Sequence, residues 1–306
     1  MKRLSREIVL AYITGIILII GNSWHILLAG VMNMPGYVFT GIAHYYADYF
    51  LYVSLIAQGG RGALIWTDHL FTNERLSPTW IYWVYTIIGK GQGLGLTPFA
   101  LYSISLLFFS GLLLYTWWRI SQKLFPNQPI TGSLAFLFLT TASHIPNVGE
   151  FWFSPTPALN RLGGVPHQML QSILLLGVII FFVKLLTDKR HHLGSSVLFI
   201  VLSFWAAMAN PIQMLLVVIS ASITGIWVIK TTKDHLKNAI VAIVLLAVPA
   251  LLGAVLTNIS FAHDPILTAA KVWEDSQRVS VGFAQFIFAI GPIALLIPFG
   301  IRQVFR

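Results

Sequence analysis

The chain has 306 residues, of which 57% are hydrophobic and 9% charged, with a mean hydropathy of +0.78. Soluble domains carry about 25% charged residues, so a single water-exposed globule is excluded and apolar runs are to be read as membrane spans. The chain has no cysteine, which excludes disulfides and thiolate metal sites, and its net charge of +9 has to be tested against membrane topology before nucleic acid is considered.

Eight apolar runs predict an all-α, polytopic transmembrane bundle: 8–30, 98–118, 131–145, 167–186, 195–209, 211–229, 239–257 and 283–301. About 20 residues cross a bilayer core, so the third and fifth runs are short for the task. The first run exceeds the 7–15 apolar residues of a signal peptide and no A-x-A site follows it, so it is expected to be retained. Asn210-Pro211 separates two runs that together exceed one bilayer thickness, which predicts a hairpin. No repeat or low-complexity linker divides the chain, and 1–306 reads as one domain.

Between the first two spans lies the largest polar segment, 31–97. Within it Ile42, Tyr45, Tyr46, Tyr49, Phe50, Val53 and Ala57 recur at helical spacing, predicting an amphipathic helix at the membrane surface. Its opposite face carries His44, Asp48 and Tyr52. A short aromatic segment, 80–88, reads as interfacial or re-entrant. Lys90-Gly91-Gln92-Gly93-Leu94-Gly95 reads as a flexible turn; it lacks the context and terminal Lys-Ser/Thr of a phosphate loop.

Charge orients the bundle. With the N-terminus in the cytosol, thirteen of the 19 basic residues fall inside, from Lys2, Arg3 and Arg6 to Arg302 and Arg306; Arg61, Arg75, Lys90, Arg161, Lys271 and Arg278 fall outside. Cytoplasmic loops favour Lys and Arg, so both termini are expected in the cytosol of a plasma (inner) membrane, and the +9 needs no nucleic acid. Seven of the ten acids, Asp48 and Asp68 among them, fall outside.

Several polar groups are placed to do chemistry there. Asp48 is the candidate catalytic residue, a carboxylate at a membrane boundary able to accept a proton from a hydroxyl; a solvated acid on a polar helix face is the plain alternative. Asp68, His69 and Glu74 are a candidate set for Mg²⁺ or Mn²⁺, matching no firm metal spacing, with an ion pair of Glu74 and a neighbouring arginine as the alternative. Glu150, Arg161 and His167 belong to the second external loop and the start of the fourth span, where a helix N-terminus favours an anion such as phosphate; a helix-start histidine at the interface is the plain alternative. Lys271 and Arg278, in the last external loop, offer charge-assisted bonds to a pyrophosphate, with a solvated loop of local ion pairs as the alternative. Few ionisable residues fall inside the spans, which argues against ion-coupled transport.

The pattern is similar to that of the GT-C superfamily, integral-membrane glycosyltransferases that use polyprenyl-phosphate-linked sugars. The residues carrying the resemblance are Asp48-Tyr49-Phe50-Leu51-Tyr52, Gln58-Gly59-Gly60-Arg61-Gly62, Thr72-Asn73-Glu74, the segment with Tyr82, Tyr85 and Gly89, and Glu150 with Pro166-His167. The resemblance implies a shortened or partial member of that superfamily, with a large first external loop and Asp48 as base or metal ligand. It implies sugar transfer from a polyprenyl-phosphate-linked donor to an acceptor hydroxyl on the non-cytoplasmic face. His44, Tyr52, Glu150, Arg161, His167, Lys271 and Arg278 would contact substrate. The chain lacks the Asp-x-Asp pair of metal-dependent relatives. The rival expectations are a non-catalytic assembly or lipid-binding membrane protein, and a transporter or flippase of a lipid-linked substrate.

Overall fold

The computed structural model describes residues 6–29, 31, 35–36, 46–68, 70, 79–125, 128–141, 165–187, 193–231 and 236–276. Every regular element among them is helical. In chain order these are α1 (Arg6–Ala29), α2 (Tyr46–Gly60), α3 (Trp83–Gly89) running into a 3₁₀ turn (Lys90–Leu94), α4 (Pro98–Leu124) and α5 (Pro129–Thr141). There follow α6 (Pro166–Thr187), α7 (Leu193–Ala209), α8 (Pro211–Thr231), α9 (Leu236–His263) and α10 (Pro265–Ser276).

Among the described residues four helices are long and apolar enough to cross a membrane: Pro98–Leu124, Pro166–Thr187, Pro211–Ile229 and Leu236–His263. Ile8–Ile20 and Leu193–Ala209 are shorter apolar stretches, and the expected last span, 283–301, lies outside the described residues. The outer faces of the long helices are apolar. Leu215, Leu216, Ile223, Leu251 and Leu252 are each more than half exposed. Apolar surface on this scale is foreign to water-soluble monomers, and a bilayer is the environment that accommodates it.

The chain forms two compact units: residues 1–49, 103–166 and 277–306, and residues 50–102 and 167–276. In the first, α1 lies against α5. Gly132 lets α5 come down beside the end of α4, where a Cβ would stand 3.2 Å from the Ser121 carbonyl oxygen. Hydroxyls within α4 bond back to their own helix, Ser110 to Leu106 O at 2.7 Å and Thr116 to Leu112 O at 2.8 Å, so an apolar surrounding leaves them satisfied.

In the second unit α9 packs on α7 and α8 through small side chains. Ala206, Ala207, Ala239 and Ala242 are fully buried, and a Cβ on Gly253 would lie 2.8 Å from Phe204 O. Small residues let membrane helices approach closely, gaining dispersion contacts where lipid offers no hydrophobic drive. Val178, Phe199, Met214 and Leu246 complete this core. A glutamine pair, Gln171 Nε2 donating to Gln213 Oε1 at 2.5 Å, ties α6 to α8.

Asn210 is the single residue between α7 and α8. Its side chain accepts from Gln213 N at 2.9 Å, an N-cap with Pro211 in the first helical position, so the Asn-Pro step separates two helices. The stretch after residue 257, expected to be a loop, is helical. The reason is local. Thr257 and Ser260 bond to the carbonyls of Gly253 and Leu256, so polar residues continue α9 to His263. Buried Asp264 then caps α10, its Oδ1 accepting from Ile266 N at 2.9 Å and Leu267 N at 3.1 Å.

Candidate functional site

The second unit gathers an aromatic and histidine cluster, built from the crossing of α2 and α3. The crossing depends on two glycines. A Cβ on Gly59 would stand 2.2 Å from Thr86 O, and one on Gly89 would stand 2.1 Å from Ile56 O. With no side chain at either position the two backbones touch. Side chains then close the junction. Lys90 Nζ donates to Gly59 O at 2.8 Å and Ala63 O at 2.9 Å, satisfying carbonyls at the end of α2, where positive charge is favoured. Gln92 Nε2 donates to Ile56 O at 2.8 Å, and Thr86 Oγ1 to Leu64 O at 3.0 Å. The glycine-rich stretch expected to be a flexible turn is thus a bonded 3₁₀ turn that clamps α2.

Buried Gln58 holds the following segment. Its Oε1 accepts from Asp68 N at 2.6 Å, and its Nε2 donates to Asp68 O at 2.8 Å. On the other side of α3, Trp83 meets the ring of Trp205 on α7 at 4.4 Å.

This frame places Tyr52, Tyr85 and His167 together. Tyr52 stacks on Tyr85, centroids 4.4 Å apart and planes at 13°. The His167 ring stands edge-on to both, at 5.5 Å and 5.6 Å. The Tyr85 hydroxyl is hydrogen-bonded to His167 Nδ1 at 2.7 Å. In the tautomer with its proton on Nε2, the imidazole accepts from the phenol and keeps one N–H donor for a ligand. His167 is the second residue of the 22-residue helix α6, whose N-terminus carries partial positive charge and unsatisfied amides. A hydrogen-bond donor beside such a terminus suits a phosphate oxygen.

Asp48 lies exposed in the first turn of α2, a position the helix dipole favours for a carboxylate, and it precedes Tyr52 by one turn. Its neighbour Tyr49 is buried, and burial pushes that phenol up to about 12, so it stays a neutral group. Tyr52 departs from expectation. It is expected with Asp48 on the face opposite the apolar one, and it is half-buried under Tyr85, because α3 docks on that side of α2. Asp68 is exposed, with its backbone held by Gln58. Lys271 is exposed on α10, a helix where a loop was expected. His44, His69, Glu74, Glu150, Arg161 and Arg278 lie outside the described residues. No three His, Cys, Asp or Glu side chains converge on a metal-sized site among the described residues.

Tyr85 is the member that site reasoning missed. Its segment reads as interfacial or re-entrant, and the signal for a different role is Gly89 four residues on, the small residue that lowers α3 onto α2. Comparison with protein-family models, curated proteins and solved structures finds no match to the chain.

Proposed function

We propose that this membrane protein is a glycosyltransferase of the GT-C type, moving a sugar from a polyprenyl-phosphate-linked donor to an acceptor hydroxyl. In this reading the apolar runs form an eight-span bundle in the plasma membrane with both termini in the cytosol, and α2 and α3 work on the opposite face. Asp48 takes the proton of the acceptor hydroxyl while that oxygen attacks the anomeric carbon. The bond from that carbon to the phosphate oxygen breaks, and polyprenyl phosphate leaves with the electron pair. The His167 Nε2–H and the first amides of α6 meet the charge that builds on the leaving phosphate, the kind of fixed donor that lowers such barriers most.

The observation that carries the reading is the Tyr85–His167 bond at the start of α6, which holds an imidazole donor at a helix N-terminus on a membrane protein. The test is sugar transfer from a short polyprenyl-phosphate donor by the chain reconstituted in liposomes. Asp48→Asn should lower the rate by about 10²–10⁴-fold, the contribution of a positioned base, with expression and helicity unchanged. Full activity in that variant removes Asp48 from the mechanism. Saturable donor binding without any transfer by the native chain would favour the lipid-binding reading.

A further inference from the structure

The first unit contains an apolar groove unrelated to the aromatic–histidine cluster. Its walls are α1, α4 and α5, and its volume is about 160 Å³. Tyr12, Gly15 and Ile16 line it from α1, and Gly111, Tyr115 and Trp118 from α4. The two glycines make the space: a Cβ on Gly15 or Gly111 would meet nothing within 4 Å. Apolar cavities of about 150 Å³ stay dry and take up hydrocarbon, so an alkyl chain is the chemically matched content.

One end of the groove is polar in a definite sense. Tyr12 and Trp118 approach there, ring centroids 5.9 Å apart. Arg119 follows Trp118 and lies 6.0 Å from the centroid of the lining Tyr115 ring. Lys123 stands one turn further along α4, and Arg6 stands six residues before Tyr12 on α1; all three cations are exposed. Glu7 is the one acid in the sequence stretches 6–12 and 118–123. The indole N–H of Trp118 is buried with no hydrogen-bond partner among the described residues. A buried donor without an acceptor is costly, and a ligand carbonyl would remove that cost.

From the apolar groove, the unpaired indole donor and the cations beside it, we propose that unit 1 binds one anionic glycerophospholipid of the bilayer. An acyl chain fills the space left by Gly15 and Gly111. An ester carbonyl accepts from the Trp118 indole, and the phosphate headgroup lies among Arg119, Lys123 and Arg6. Membrane leaflets rich in anionic lipid attract basic residues at the helix ends, and the apolar groove adds selection for a chain lying beside them. This site is separate from the proposed donor site and stands or falls without it.

The experiment uses the full chain in vesicles doped with brominated phosphatidylglycerol or brominated phosphatidylcholine. The Trp118 contribution to fluorescence is the difference between the native chain and Trp118→Phe. Brominated phosphatidylglycerol is expected to quench that contribution at a mole fraction at least about fivefold lower than phosphatidylcholine, the factor one engaged cation supplies near a membrane. Arg119→Gln with Lys123→Gln, both at exposed positions, should bring the two lipids together. Gly15→Leu with Gly111→Leu should abolish quenching of Trp118 at unchanged helicity. Equal quenching by both lipids in the native chain overturns the proposal. So does a preference that survives loss of both cations, or quenching that survives the filled groove in a chain of native helicity.

Discussion

Replacing Gly89 by alanine puts one methyl group where α3 meets α2. Its Cβ would lie 2.1 Å from Ile56 O and 2.9 Å from Gly59 Cα, against the 3.4 Å at which ordinary contact begins. The obstacle is a helix backbone carbonyl, which cannot rotate aside, so the helices must separate by more than 1 Å. Overpacking of this kind costs about 1–3 kcal/mol. Separation also stretches the Gln92 bond to Ile56 O and the Lys90 bond to Gly59 O, each worth about 1 kcal/mol net. Alanine recovers about 1 kcal/mol of helix propensity. The balance is a loss of roughly 2–4 kcal/mol, an unfolding equilibrium shifted by two orders of magnitude. Equilibrium unfolding in mixed micelles, followed by circular dichroism, measures it. Gly93→Ala is the control, because a Cβ there meets nothing within 4 Å, and it should change stability by less than about 0.5 kcal/mol. If Gly89→Ala unfolds at the same denaturant concentration as Gly93→Ala, the glycine crossing does not hold α3 in place.

Tyr85→Phe removes the hydroxyl from His167 Nδ1 and should cost about 1 kcal/mol, seen as an earlier unfolding midpoint and as a shift of the His167 ring resonances; unchanged resonances would contradict the 2.7 Å bond. Gln58→Leu strands the amide and carbonyl of Asp68 and should cost roughly 2 kcal/mol, with faster hydrogen exchange at the Asp68 amide; native exchange there would show that the clamp is dispensable. Asp264→Ala removes the cap of α10 and should destabilise by about 1 kcal/mol, with Asp264→Asn retaining most of it, as read from the same unfolding curves; equal losses in the two variants would refute the capping role.

Helices bounded by strong local signals were legible in the sequence. Proline in the first turn marks the starts of α4, α6 and α8, and these begin within a residue of the expected spans, because proline is preorganised there and lacks only an amide the helix does not use. Asp264-Pro265 is the same signal at the head of α10, overlooked because the surrounding charges read as a loop. The end of α9 was misplaced for a related reason: Thr257 and Ser260 look like a polar boundary, yet each satisfies its hydroxyl within the helix. Of the candidate site, Asp48 was legible as the exposed acid of an amphipathic helix, and His167 as a residue at a helix start. The Tyr52–Tyr85 stack was not, because it depends on which face of α2 receives α3. That choice is made by Gly59 meeting Gly89 across 30 positions of chain, a tertiary contact no local periodicity reports.

The most direct measurement is a titration of the reconstituted chain with a short-chain polyprenyl phosphate, observed by phosphorus NMR, beside the same titration of His167→Ala. The expected result is a saturable change in the phosphate resonance that the variant loses. An identical titration in both chains, or none in the native one, would mean that the Tyr85–His167 pair has no part in holding a lipid phosphate.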